Sequence, residues 1–243
     1  MSDALRIALV GNPNCGKTSL FNHLTGTRQK VANYAGVTVE RKMGQFSLPS
    51  GKAVRVLDLP GTYSLDATSP DEAITRDVVQ GKIVEEGHQD AFLCVVDATN
   101  LKLHLGLVLE MIELGRPILL VLNMMDEARR RGLQINTQKL SERLGIPVAE
   151  TVAVRNAGIE NLLNALDQAK YAVPHTELSG LKGSHHQKIA TILHDVVQYA
   201  DQEDKRSDFL DRIFLHPVLG LVTLAVMMFV VFQAVFAWAA PFM

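Results

Sequence analysis

The chain has 243 residues, 47% of them hydrophobic and 21% charged, which is enough apolar material for one α/β domain of ordinary size plus something smaller. A formal net charge of −2, from 24 basic and 26 acidic side chains, argues against a nucleic-acid binder, which carries a basic surplus. The two cysteines, Cys15 and Cys94, stand far apart in unrelated contexts, so they suggest neither a disulfide framework nor a C-x-x-C metal site and fit a reducing compartment.

The amino terminus has no basic region followed by a long apolar run, so no signal peptide is expected. Leu5–Val10 is an apolar run that predicts a buried strand. Gly11–Thr18 follows, GNPNCGKT, and matches the phosphate-binding pattern G-x-x-x-x-G-K-[ST]. Helical sequence, Ser19–Leu24, comes next. A loop between strand and helix wraps backbone N–H groups around phosphates and adds the positive end of the helix dipole. The phosphate-binding set is therefore Gly11, Asn12, Pro13, Asn14, Cys15, Gly16, Lys17, Thr18 and Ser19. Gly11 and Gly16 admit close backbone approach. Lys17 neutralises β/γ-phosphate charge, and the Thr18 hydroxyl is an Mg²⁺ ligand. The loop's dipole could lower the pKa of Cys15, although a tolerated small residue explains it as well.

Arg28–Gly36 has no clear periodicity and reads as a loop. Thr38–Leu48 and Ala53–Leu59 are β-rich and joined by Pro49-Ser50-Gly51, which predicts an antiparallel hairpin. The second run ends in Asp58-Leu59-Pro60-Gly61, a D-x-x-G motif. There the carboxylate holds Mg²⁺ through water and the Gly61 N–H meets a γ-phosphate. Thr38, before its strand, is placed to complete the Mg²⁺ shell. Gly36, Val37, Thr38 and Asp58, Leu59, Pro60, Gly61 are the two expected nucleotide-sensing segments. Thr62 stands where Ras-like enzymes carry a water-orienting Gln, and its short side chain implies slow turnover.

A helix is expected from Asp71 to about Val84, a buried strand over Ala91–Asp97, and a helix over Leu101–Leu114 closed by Gly115. Pro117–Asn123 is the next strand. It leads into Asn123-Met124-Met125-Asp126, an N-x-x-D motif. A fixed carboxylate at Asp126 accepts two hydrogen bonds from N1–H and the 2-amino group of guanine, which adenine does not offer, so the motif selects the base. Short helices follow over Asp126–Arg131 and Thr137–Leu144. A last strand, Val148–Val152, precedes Ala153-Val154-Arg155, whose backbone N–H groups stand where a guanine carbonyl would be met. Gly158–Lys170 is the last helix of this series. Strands alternating with helices imply a mostly parallel, mixed α/β sheet with one antiparallel hairpin, the phosphate-loop GTPase (Ras-like) architecture.

Beyond Pro174 the pattern changes. Gln187–Ala200 places Ile189, Ile192, Leu193, Val196, Val197 and Ala200 on one helical face. One amphipathic helix must pack on the nucleotidase, on another subunit or on a membrane-domain surface. His185, His186, His194 and His216 match no recognised ligand spacing and read as surface histidines. From Val218 to Ala240, 23 residues carry no charge, and Trp238 suits an interface. As a helix this run is about 35 Å long, enough for a bilayer core. It predicts a transmembrane helix with the preceding part in the cytoplasm, and a chain cut at its first span. The expected division is 1–170, a GTP-binding domain; 171–208, a small helical domain; and 209–243, a pre-membrane segment and span.

The strings GNPNCGKTSLFNHLTG, NYAGVTVERKMG, VLDLPGTYSL, LNMMD and FLHPVLGLVTLAVMMF resemble the FeoB family of bacterial ferrous-iron transporters, across essentially the whole chain. The resemblance implies a cytoplasmic GTPase, a helical domain resembling a GDP-dissociation inhibitor at roughly Tyr171–Asp208, and a multi-pass domain in the cell inner membrane. It implies slow GTP hydrolysis stimulated by K⁺, held by an asparagine at the position of Asn14, with Lys17, Asn14, Thr38 and Gly61 as the catalytic set. Partners would be GTP and GDP, the transporter's own membrane domain, small cytosolic proteins of the iron-uptake system, and Fe(II) as cargo not bound by this segment. A soluble GTPase of ribosome or tRNA maturation and a non-catalytic GTP sensor remain as alternatives.

Overall fold

Strand β1 (Leu5–Gly11) is apolar on both faces because both faces are covered. In the computed structural model of the chain, strands β2 (Gln29–Asn33), β3 (Glu40–Ser47), β4 (Ala53–Asp58), β5 (Ala91–Asp97), β6 (Ile118–Asn123), β7 (Leu133–Ile135), β8 (Val148–Glu150) and β9 (Val197–Tyr199) follow it. The helices are α1 (Lys17–Thr25), α2 (Pro70–Val79), α3 (Leu101–Glu113), α4 (Met125–Arg130), α5 (Thr137–Leu144), α6 (Ile159–Asp167), α7 (His185–Val196) and α8 (Leu219–Gln233). The structure describes residues 4–26, 29–34, 37–83, 86–153, 157–168, 171, 183–199, 214, 216 and 218–234.

The main sheet runs β2-β3-β4-β1-β5-β6-β8. From β4 to β8 every pairing is parallel, and β3 joins β4 antiparallel, as the hairpin signal predicted. The segment read as a loop, 28–36, departs from expectation: Gln29–Asn33 forms β2, an antiparallel edge strand on β3. Its residues are mostly exposed, so no alternation marks it in the sequence. Its neighbour's open hydrogen-bonding edge selects the extended form. The antiparallel part is thus three-stranded.

Apolar residues fill both faces of the sheet. One layer contains Ala8, Val10, Leu57, Phe92 and Cys94 with residues of α2, α3, α5 and α7. The other contains Ile7, Leu9, Val56 and Leu93 with residues of α1 and α6. Helix α2 stops at Val79, short of the expected Val84. Its start is set by Ser69, whose hydroxyl accepts from the Glu72 N–H, with Pro70 in the first turn.

Chain segments Met1–Ala200 and Asp201–Met243 are separate compact units. The amphipathic helix resolves its choice of partner: Ile189, Ile192 and Val196 of α7 are buried in the layer with α3. His185 Nε2 and Lys188 Nζ reach Glu113 Oε1 of α3 at 3.0 and 3.2 Å, and Arg143 of α5 pairs with Asp195. The His185 hydrogen bond, foremost, holds the Glu113 carboxyl below the usual carboxylate range. The helical pattern extends to Ala200, but the chain turns to strand after Val196. Val197–Tyr199 pairs antiparallel with β7, a two-stranded sheet the sequence did not announce.

In the second unit α8 is 15 residues long, uncharged, and has no buried residue. No helix of the described residues is long and apolar enough to cross a membrane. Residues 235–240 of the expected span lie outside the described ones.

Candidate nucleotide-binding site

The residues picked out by motif converge on the carboxyl ends of β1, β4 and β6, where open α/β sheets carry their ligand crevices. Gly11 ends β1. A Cβ there would lie 2.3 Å from the Val95 carbonyl oxygen of β5, so only glycine lets the loop leave the sheet. Asn14 (φ 63°) and Gly16 (φ 85°) are left-handed. Reversals of this kind form backbone concavities suited to anions. Gly16 is followed directly by α1, whose first residue is Lys17. Pro13 and Ser19 are partly exposed, and Asn14 and Thr18 are exposed. Asn12 is almost fully buried, and among the described residues neither its side-chain nitrogen nor its side-chain oxygen has a hydrogen-bond partner.

Lys17 Nζ lies 2.7 Å from Asp58 Oδ1, with both side chains at least nine-tenths buried. The structure therefore brings the loop's cation and the D-x-x-G carboxylate to one point. The D-x-x-G segment is held from three sides. Leu59 N–H donates to the Leu9 carbonyl and Thr62 N–H to that of Gly11, each at 3.2 Å. Thr75 Oγ1 donates to the Pro60 carbonyl at 2.8 Å. A Cβ on Gly61 would stand 3.1 Å from Pro13 N, so the two loops abut. Thr62 is fully buried, and its hydroxyl lies 2.5 Å from the Ser64 carbonyl oxygen and 3.3 Å from Glu72 Oε1. Its hydroxyl is committed inside the protein. Val37 and Thr38 are exposed. Among the described residues no hydrogen bond ties Thr38 to Thr18 or Asp58.

At the other end Asn123 is buried and fully engaged. Its Nδ2 donates to the Cys15 carbonyl at 3.0 Å, and its Oδ1 accepts from Ala153 N–H at 3.0 Å and from Thr151 Oγ1 at 3.3 Å. Met124 is left-handed (φ 60°) and caps α4. Asp126 lies half-buried in the first turn of α4. Gly36, Val154 and Arg155 of the expected set lie outside the described residues. Cys15 departs from the low-pKa alternative: burial pushes its thiol up to about 11, and this outweighs the Lys17 charge and the backbone N–H groups that favour the thiolate.

Three supporting residues were not found by motif. Thr75 holds Pro60, and Thr151 holds Asn123, as above; neither carries a local signal. Glu110 of α3 accepts from Ser64 Oγ at 2.9 Å and Leu65 N–H at 2.6 Å, so it anchors the stretch after Gly61. A carboxylate inside the apolar run Leu105–Ile112 was the signal that could have revealed it.

The family described as Ferrous iron transport protein B matches residues 5–166. The Fe(2+) transporter FeoB of Escherichia coli strain K12 is 48% identical over 166 residues, which is 68% of this chain and 21% of that protein. The chain thus spans about one fifth of the length of the curated relatives it matches. The cytosolic domain of L. pneumophila FeoB superposes with a TM-score of 0.68 at 32% identity, covering 79% of this chain and 99% of that one. The cytosolic domain of the T. maritima FeoB iron transporter in a GDP form gives a TM-score of 0.64 at 39% identity, over 75% of this chain and 69% of that one. With the matched segment running through the phosphate loop, D-x-x-G and N-x-x-D on the crevice just described, the chain belongs to the FeoB family and carries its N-terminal, GTP-binding G domain.

Proposed function

We propose that this chain is the cytoplasmic GTPase module of a ferrous-iron transporter, hydrolysing GTP slowly to drive or gate Fe(II) uptake. One observation carries the reading. Asn123 fastens the phosphate loop, through Cys15, to the loop of Ala153, so base-reading and phosphate-holding segments form one crevice. The GDP form of the T. maritima relative supports the choice of ligand.

Thr18, Thr38 and Asp58 offer the hard oxygen donors that Mg²⁺ takes. The burial of Asp58 against Lys17, beside the phosphate loop, supports that role for its carboxylate. When bound, Mg²⁺ neutralises phosphate charge. With nucleotide bound, Lys17 would leave Asp58 for β/γ-phosphate oxygens, and the freed carboxylate would be available to hold Mg²⁺. The Gly61 N–H takes the γ-phosphate. Asn123, Met124, Asp126 and the Ala153–Arg155 backbone hold guanine. With Thr62 turned inward, the attacking water is left to backbone or switch-segment groups, so turnover is slow. Asn14, exposed at the loop's tip, is suited to hold an activating K⁺, in place of the charge an arginine finger supplies elsewhere.

The division into 1–170, 171–208 and 209–243 belongs to the same proposal. The uncharged, exposed α8 supports a first membrane helix over about 218–240. The nucleotide's state passes through the 171–208 region to the inner-membrane part, while iron travels through segments other than these. Phosphate release measured in K⁺ against Na⁺ buffer is the test. Slow release, faster in K⁺ and losing that preference in Asn14→Ala, is expected. No release above background in either salt would overturn the enzyme in favour of a GTP sensor.

A further inference from the structure

Strands β2, β3, β4 and β1 share a face that the helices leave partly open. A groove of about 630 Å³ runs along it, within the range of small-molecule sites. Its charged lining is Arg6 on β1, Lys30 on β2, Arg41 on β3 and Arg55 on β4, against one carboxylate, Glu86. Register explains how they meet. Arg6 stands beside Arg55, Arg55 opposite Gln45, and Lys30 opposite Met43. Arg41, Met43 and Gln45 alternate along β3, so all these side chains belong to one face of the sheet.

Glu86 answers only Arg41, with Oε1 2.6 Å from Nε and Oε2 2.9 Å from Nη2. Among the described residues nothing pairs with the side chains of Arg6, Lys30 or Arg55. Like charges on neighbouring strands repel. This protein has a small net negative charge, yet here it gathers three uncompensated cations round a concavity. The groove is also remote from the phosphate loop. Arg6 lies near the start of β1 and Gly11 at its end, roughly 17 Å away at strand spacing.

We propose that this groove binds a small, multiply charged anion of the polyphosphate or polycarboxylate class. Lys30 lies on the edge strand, and Arg55 and Arg6 lie on the two strands at the sheet's centre. An anion spanning them ties β2 to the sheet. Strands β2 and β3 enclose the turn in which Tyr34 N–H donates to the Val39 carbonyl, at 3.0 Å, and which includes Thr38. Occupancy therefore steadies the segment that carries Thr38. The concave shape suits a free small molecule rather than a membrane or a nucleic acid. The inference does not depend on the nucleotide reading.

Calorimetric titration of the whole chain tests it, with tripolyphosphate and citrate as probes. GDP is added first, in the absence of Mg²⁺, and its own titration is recorded. Bound GDP occupies the phosphate loop, and in a protein that takes no GDP the Lys17→Met/Asp58→Ala variant removes that loop's cation instead. Saturable one-site binding of at least one probe is expected, weakened about tenfold or more in Lys30→Gln/Arg55→Gln. The control Lys102→Gln should leave it unchanged. Amide exchange over 29–34 should slow when the probe is bound. No saturable binding of either probe, equal weakening in the control, or full binding by the double variant would overturn the proposal.

Discussion

Asn123 donates to the Cys15 carbonyl at 3.0 Å across 108 residues of sequence, joining the N-x-x-D motif to the G-x-x-x-x-G-K-[ST] loop. The same side chain takes the Ala153 N–H. Asn123→Ala leaves both buried backbone groups unsatisfied, at a cost of about 2–5 kcal/mol. A lower urea midpoint without nucleotide is expected, together with a fall in GDP affinity. A variant that loses affinity at unchanged stability would show that the brace acts only on the ligand.

Lys17 and Asp58 hold each other inside the protein. Removing one partner strands the other charge, which costs about 3–5 kcal/mol. Asp58→Ala should therefore destabilise the nucleotide-free chain, and Lys17→Met/Asp58→Ala should recover most of the loss. Equal midpoints for the single and double variants would mean that the contact carries little of the fold's stability.

The proposed function assigns base choice to Asp126. Its exchange for Asn reverses the hydrogen-bonding sense offered to the 2-amino edge. Asp126→Asn should weaken GTP binding about a hundredfold or more and improve binding of xanthosine triphosphate. Unchanged GTP affinity in competition binding would sink the assignment.

His104 is buried, with Nδ1 accepting from the Asp97 N–H at 3.3 Å. Burial holds its pKa below the ordinary histidine value. The unfolded chain protonates this group at about pH 6.5 and the folded chain only at lower pH. Protons therefore favour unfolding. This contribution to stability is whole above about pH 6.5 and is lost as pH falls toward the folded-state pKa. Melting temperatures between pH 8 and pH 5 should decline less steeply in His104→Gln than in the parent. Parallel curves would remove His104 as the cause.

The central strands and the motif loops were legible because each has its own local cause. β5 and β6 are continuous apolar runs. Gly11 and Asn123 end their strands and Gly61 follows shortly after one, where backbones approach closely. What was not legible depends on neighbours. Gln29–Asn33 is polar, and only the free edge of β3 makes it a strand. Leu133–Ile135 and Val197–Tyr199 are three residues each and become strands only by finding one another. The adjacent β-branched pair Val196-Val197 satisfies a helical stripe and a strand equally well, so periodicity ran past the true end of α7. The hold of Glu110 on Ser64 and Leu65 likewise follows from tertiary placement rather than from the loop's own residues.

Helix α3 carries Glu110 and Glu113 one after the other, about 4.5 Å apart along its axis. The first grips the stretch after Gly61 and the second grips the start of α7. Both are keyed to a single shaft. The segment after Gly61 and the start of α7 are thus fastened to one helix, by two carboxylates less than a turn apart along it.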